Sequence, residues 1–340
     1  MKLVVLLFSS LPVVVHGLPY QQVPLGYPTF RQTPLDESFD KLAEHALKEF
    51  NVPGFSIAVV KGNETFAKGY GVAELPDTKA SADTLYFTGS TTKSFTAASI
   101  LKLIAESKNS THQLSLQTKI SNLIPWKLQD DYVRSHATLE DALSHRTGMP
   151  RHDMAYGGPN YTATDLIDAM QYLPLTKEIR QEWQYCNMMY LVLSQIVETL
   201  SGTALSKFFQ TNIWDPLGMS NTFMDMDAAK KTSNLAKGYY YDNSTAKYLA
   251  HDYVDPEFVS GAGGIISSVS DYAIYLRAML QKDLAILDPV SFAELRKARM
   301  LIGPMFGPDP IFTGPNSYGL GKQNLAHPSE SVTTQSLSQR

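Results

Sequence analysis

The stretch Phe87-Thr-Gly-Ser-Thr-Thr-Lys93 opens an amphipathic helical pattern that continues to Glu106. A serine at the start of a helix lies near unpaired N–H groups and the positive end of the helix dipole. Lys93 follows Ser90 by one helical turn, so both side chains lie on the same face. A lysine whose surroundings lower its pKa can accept the serine proton. The stretch therefore predicts a serine nucleophile with a basic partner.

The spacing alone does not identify this pair. The alternative is that Ser90 caps the helix and Lys93 is a solvated surface charge, and spacing by itself favours that alternative. The same Ser-x-x-Lys pattern occurs four times in the chain, at Ser38/Lys41, Ser90/Lys93, Ser99/Lys102 and Ser244/Lys247.

A second motif, Tyr185-Cys-Asn187, stands at the start of another amphipathic helical pattern. The Tyr185 hydroxyl can relay a proton to a serine–lysine pair, and the Asn187 amide can orient a substrate or the lysine. The alternative is a core aromatic side chain with a satisfied hydroxyl. Cys186 has no identified histidine partner, so a nucleophilic role for its thiol is disfavoured.

The remaining patterns predict an α+β protein with an antiparallel sheet lobe and an inserted helical lobe. A hairpin is predicted from Phe55–Val60 and Thr65–Val72, which flank a polar turn. The predicted helices are Asp36–Phe50, Ser90–Glu106, Thr138–Leu143 with Thr138 as its cap, Tyr185–Leu200 and Ser270–Leu280.

The Phe87–Lys93 and Tyr185–Tyr190 segments resemble the first two motifs of the serine β-lactamase and penicillin-binding protein superfamily. The similarity is to the class C branch, particularly the eukaryotic β-lactamase-related hydrolases, and spans residues 36–321. Supporting segments in the expected order are Val52–Val59, Leu143–Pro150, Trp214–Met219 and Gly261–Ser268.

This resemblance implies a β-lactamase/transpeptidase-like fold and a cofactor-free serine hydrolase. Ser90 would form an acyl-enzyme on an ester, amide or lactam carbonyl. Lys93 and Tyr185 would share the acid and base roles, and Asn187 would bind substrate. The expected partner is a small-molecule or peptide-like acyl substrate.

The superfamily's third motif, Lys-Thr-Gly or His-x-Gly, has no match after Gly321. His327-Pro-Ser329 is no substitute, because it lacks the glycine and Pro328 opposes an interior strand. In the family, this strand supplies one oxyanion-hole N–H, and losing such a donor costs about 2.7–4 kcal/mol. We therefore expect truncation, with the C-terminal sheet strands missing. An inactive homologue or binding protein is the alternative function.

The N-terminus has the pattern of a secretory signal, with a basic start and an apolar run too short to span a membrane. A buried N-terminal strand or helix is the alternative. We expect residues 1–17 to be a signal peptide, 18–35 a linker, 36–321 an incomplete β-lactamase-related domain, and 322–340 a polar tail. Glycosylation sequons at Asn63, Asn109, Asn160 and Asn243 favour a secreted glycoprotein.

The net charge of −4 argues against nucleic acid or an acidic membrane surface as a partner. The lone cysteine permits no intramolecular disulfide. His145, His152 and His251 lack a recognisable metal-ligand spacing, so no metal is predicted, and His145 is expected to brace the loop before Gly148. The sequence does not specify an oligomeric state.

Overall fold

The computed structural model describes residues 3–9, 33–156, 161–253, 259–302, 316–326 and 331–332; only the backbone is described for 3–9, 325–326 and 331–332. Its strands pair into four separate antiparallel groups. The first sheet has the order β1-β2-β3-β4 and contains β1 (Leu3–Ser9), β2 (Gly54–Lys61), β3 (Glu64–Glu74) and β4 (Thr78–Lys79).

The other strands are short and form three further antiparallel groups. A three-stranded group has the order β5-β9-β6, β7 pairs with β8, and the last four strands pair in sequence. These strands are β5 (Tyr86–Phe87), β6 (Thr222–Phe223), β7 (Gly238–Asp242), β8 (Lys247–His251), β9 (Ile266–Ser267), β10 (Met300–Leu301), β11 (Ser317–Tyr318), β12 (Gln323–Ala326) and β13 (Ser331–Val332).

The helices supply most of the core. They are α1 (Glu37–Glu49), α2 (Lys93–Glu106), α3 (Asp131–His136), α4 (Leu139–Leu143), α5 (Ala163–Ala169), α6 (Asn187–Ser201), α7 (Leu205–Phe209), α8 (Asp215–Leu217), α9 (Met226–Lys231), α10 (Ser260–Gly263), α11 (Val269–Gln281) and α12 (Pro289–Arg296). A π-helical segment, Gln210–Trp214, joins α7 to α8.

Strand β2 is buried on both faces, which explains why its sequence is almost continuously apolar. Ile57 and Val59 pack with α1 in one cluster, whereas Ala58 and Val60 join the main core beneath the helical lobe. The alternation of side chains along the strand thus links two hydrophobic clusters through one sheet.

Helices α2 and α6 lie at the centre of the main core. Met188, Met189 and Leu193 of α6 are fully buried. Among the described residues no single helix is long and apolar enough to cross a membrane. One bent pair, Asn187–Ser201 with Leu205–Leu217 at 73°, passes by length and composition alone.

The predicted α+β architecture is confirmed, with local differences at element ends. Helix α1 is capped by Asp36, and Thr138 forms a capping box with Asp141 as the pattern predicts. The predicted Ser90 helix begins as a 3₁₀ turn, Gly89–Thr92, before α2, and the predicted Tyr185 helix begins at Asn187.

The predicted signal peptide overlaps strand β1, which pairs with β2 from Leu3 opposite Lys61 to Ser9 opposite Phe55. The described backbone of residues 3–9 is a strand, and the signal peptide and its processing stay predictions. Cleavage after Gly17 would remove β1 and expose the edge of β2. The sequon residues Asn63, Asn109 and Asn243 are exposed, and Asn160 lies outside the described residues.

The C-terminal segment packs directly on the helix that carries Lys93. The Gly321 N–H donates to the Leu143 carbonyl at 3.2 Å. Gly321 has a φ of +66°, and a Cβ there would lie 2.6 Å from the Lys93 carbonyl oxygen. Glycine is therefore required by both backbone conformation and close approach.

The next residue, Lys322, is buried with 5% of its surface exposed. Burial, together with the positive charge of Arg296, lowers the pKa of Lys322 from 10.5 to about 7. Between these two values the unfolded chain holds a proton that the folded chain does not, so the free energy of unfolding rises with pH. The penalty of burying this side chain is full below about pH 7 and relieved above pH 10.5.

We predict that Lys322→Met stabilises the protein at pH 7 and flattens the rise of stability between pH 7 and 10. The gain is at most about 5 kcal/mol, since one pKa unit corresponds to roughly 1.4 kcal/mol. Urea unfolding of both proteins across this pH range measures it. Lys297→Met, at a lysine side chain that is 66% exposed, is the matched control. A Lys322→Met protein no more stable than the parent at pH 7 contradicts the prediction.

Candidate active site

Ser90 lies in the 3₁₀ turn between β5 and α2. Both sides of the turn are tied to the segment before β9. The Thr88 hydroxyl donates to the Ile265 carbonyl at 3.0 Å, and the Ile265 N–H donates to Thr92 Oγ1 at 3.2 Å. These bonds fix the start of α2 and therefore the position of the serine.

The structure brings together all four residues that the sequence singled out. Ser90 Oγ lies 3.1 Å from Lys93 Nζ and 2.6 Å from the Tyr185 hydroxyl. Lys93 Nζ also donates to Asn187 Oδ1 at 2.6 Å. The catalytic and substrate-binding roles of these residues stay predictions.

Lys93 is only 1% exposed, which excludes the solvated surface charge that its spacing alone had favoured. Its third polar neighbour is the Ala262 carbonyl, 2.6 Å from Nζ. Burial lowers the pKa of Lys93; the neighbouring Tyr185 opposes this effect, and the positive charge of Arg151 adds to it. The side chain therefore loses its proton more readily than an ordinary lysine.

A count of hydrogens shows how these groups can share a proton. The two N–H bonds to Asn187 and Ala262 leave one position on Nζ facing Ser90. In one arrangement a neutral amine accepts the Ser90 hydroxyl proton while Tyr185 donates to Ser90 Oγ. In the other, an ammonium donates to Ser90 and the serine hydroxyl donates to a tyrosinate. Both arrangements hold the same number of protons, and the sharing of the base role between Lys93 and Tyr185 stays a prediction.

His145 holds the Tyr185 motif from behind. Burial, with the charges of Lys93 and Arg151, places the pKa of His145 well below its ordinary value, so the ring is neutral. Its Nδ1 accepts from the Cys186 N–H at 3.1 Å, and its ring centroid lies 4.4 Å from that of Tyr185. The structural bracing role predicted for His145 thus acts on the motif itself as well as on the loop before Gly148.

Cys186 lies in the core, in an environment that does not suit a nucleophile. Its side chain is buried, and burial raises the pKa of its thiol to about 11. A thiol that stays protonated is a poor nucleophile. This environment agrees with the low weight that the sequence gave to a catalytic cysteine.

Sequence reasoning missed three polar residues beside this site. Asp153 accepts from Arg151 Nε at 2.6 Å, from the Tyr156 hydroxyl at 2.7 Å and from Asn187 Nδ2 at 3.2 Å. The Arg151 guanidinium carbon lies 4.9 Å from the centre of the Tyr185 ring. The only sequence signal was their place directly after the supporting segment that ends at Pro150.

The chain is similar to known proteins of the β-lactamase family. The sequence model of the β-lactamase family matches residues 39–326. Unguisins hydrolase of Aspergillus campestris is 38% identical over 298 residues, covering 84% of this chain and 54% of the relative. Unguisins hydrolase of Aspergillus violaceofuscus is 37% identical over 317 residues, covering 85% of this chain and 54% of the relative. The chain thus spans about half the length of these curated relatives.

Solved structures share the fold. An octameric penicillin-binding protein homologue from Pyrococcus abyssi superposes with a TM-score of 0.76 and 25% identity, covering 89% of this chain and 68% of that one. D-amino acid amidase from Ochrobactrum anthropi superposes with a TM-score of 0.71 and 21% identity, covering 89% and 84% of the two chains.

The charge of Arg151 gives a pH-dependent prediction. Proton loss from Lys93 is favoured by this nearby cation, so Arg151→Ala should raise the pH at which the site becomes reactive. The rate of Ser90 modification by a fluorophosphonate, measured against pH, should rise with a midpoint below 10.5 and shift upward in the variant.

Arg134→Ala is the matched control, because Arg134 is a surface cation paired with Asp131 on α3. Its midpoint should equal that of the parent. An unchanged or lower midpoint in Arg151→Ala shows that this guanidinium does not tune the site.

Proposed function

The chain belongs to the β-lactamase family, and from this premise we propose that it is a serine hydrolase that forms an acyl-enzyme on Ser90. The observation that carries the proposal is the contact of one serine oxygen with both a desolvated lysine and a tyrosine hydroxyl. A nucleophile held within hydrogen-bond reach of its base is the arrangement that acyl transfer requires.

In the proposed reaction, Ser90 Oγ attacks the substrate carbonyl carbon while its proton passes to the Lys93–Tyr185 pair. The tetrahedral intermediate then collapses. The bond to the leaving nitrogen or oxygen breaks, and the leaving group takes the proton from the same pair. Water attacks the ester formed on Ser90, the acid is released, and the serine regains its proton.

We propose that the target is the carbonyl of an ester, amide or lactam. The two Aspergillus relatives, which are hydrolases of unguisins by name, support a hydrolytic reaction. The match covers about half of each relative. Unguisins are therefore compounds to be tested as substrates, and we do not assign them as the substrate of this chain.

A second candidate function is a binding protein that keeps the pocket without turnover. The observation that favours it is the lack of a Lys-Thr-Gly or His-x-Gly sequence after Gly321. Without a donor from that motif, the oxyanion would rest on the backbone N–H at Ser90, in the first turn of the 3₁₀ helix.

A fluorophosphonate probe distinguishes the two functions. We expect covalent labelling of the parent at Ser90, located by peptide mass mapping, and none in Ser90→Ala. Tyr185→Phe should label about 10²–10⁴-fold more slowly, because proton relay through its hydroxyl is lost. Ser99→Ala, at a serine of the same Ser-x-x-Lys spacing in the core of α2, is the control and should label normally.

A folded parent protein that is not labelled supports the binding function. Labelling that persists in Ser90→Ala would move the nucleophile elsewhere. Turnover of amides, esters and lactams by the parent protein before labelling then identifies the substrate class.

A further inference from the structure

Asp153 lies in a 3₁₀ turn, Asp153–Ala155, next to the site but without direct contact to Ser90 or Lys93 among the hydrogen bonds of the described residues. We infer that Asp153 is a positioning residue that fixes the orientation of the Asn187 amide and thereby aims Lys93 at Ser90. The inference rests on the proposed function, because it concerns the activation of the same serine.

The Asp153 carboxylate determines which end of the Asn187 amide faces it. An ionised carboxylate only accepts hydrogen bonds, whereas an amide has a donor end and an acceptor end. Asp153 is paired with Arg151, and its Oδ1 lies 3.2 Å from Asn187 Nδ2. The amide must therefore turn its NH₂ group toward Asp153, and its oxygen is left to face Lys93.

The orientation of the Asn187 amide in turn decides which position on Lys93 Nζ faces Ser90. Asn187 Oδ1 and the Ala262 carbonyl, each 2.6 Å from Nζ, take two of its N–H bonds. The remaining position on nitrogen, occupied by a lone pair in the neutral amine, then faces Ser90 Oγ. With the amide reversed, its NH₂ would approach Nζ and engage that lone pair. Lys93 could then no longer accept the serine proton.

Asp153 is itself held in place by Arg151 and Tyr156. Arg151 donates through Nε to Oδ2, and the Tyr156 hydroxyl donates to Oδ1. The Arg151 guanidinium also covers the Tyr185 ring. The segment from Arg151 to Asp153 thus contacts both Asn187, which binds Lys93, and the ring of Tyr185.

The test uses Asp153→Asn, which keeps the size of the side chain but leaves one oxygen. The charged Arg151 guanidinium on the Oδ2 side attracts that oxygen more strongly than the neutral donors Tyr156 and Asn187 on the Oδ1 side. The new NH₂ group then faces Asn187 and forces its amide to reverse. We expect fluorophosphonate labelling of Ser90 to slow by about 10–100-fold, a part of what a general base contributes. Asp131→Asn, the same exchange at an exposed carboxylate, should label at the parent rate.

A rescue variant separates positioning from a structural role. In Asp153→Asn combined with Arg151→Ala, no cation draws the remaining oxygen at position 153 to the Oδ2 side, so it can again accept from Tyr156 and Asn187 on the Oδ1 side. We expect labelling, measured on the plateau of each pH profile, to recover to within about threefold of Arg151→Ala alone. This comparison also keeps the test valid if Asp153→Asn alone does not fold.

The outcomes are distinguishable. Slow labelling in Asp153→Asn with recovery in the double variant supports the inference. Parent-rate labelling in a folded Asp153→Asn overturns it and leaves the proposed function intact. Slow labelling in the double variant, relative to Arg151→Ala, also overturns it in favour of a structural role. A folded parent that is not labelled at all overturns the proposed function and the inference together.

Discussion

The burial of Lys93 is the interaction on which the rest of the site depends. Its polar neighbours at hydrogen-bond distance in the described structure are oxygens of Ser90, Asn187 and Ala262 rather than a carboxylate. A buried ammonium without a counter-ion is costly, so this environment favours proton loss. The 3₁₀ turn before α2 and helices α6 and α10 must pack closely around Lys93 to place the three oxygens. This packing couples the core directly to the reactivity of the serine.

Much of this arrangement could be predicted from the sequence. The amphipathic patterns located α2 and α6, and the resemblance to a known family selected Ser90-x-x-Lys93 from four equal spacings. The rest depends on features without a sequence signature. The Ala262 contact is a backbone carbonyl, and Asp153 reaches Asn187 across 34 positions of the chain.

The C-terminal region shows what the resemblance could not supply. Gly321 approaches the Lys93 carbonyl as closely as only glycine permits, so the chain up to this point is fitted to the site. Lys322 then buries an amine beside Arg296, which opposes stability. The truncation of the C-terminal sheet that the resemblance led us to expect stays a prediction.

The central claim is that desolvation makes Lys93 a base for Ser90. Nuclear magnetic resonance of protein labelled with ¹³C at the lysine ε-carbons tests it most directly, with the Lys93 signal assigned by its loss in Lys93→Arg. We expect the Lys93 signal to titrate with a midpoint clearly below the ordinary lysine pKa of 10.5. A midpoint at or above 10.5 would show that Lys93 remains an ammonium at neutral pH and would contradict this account.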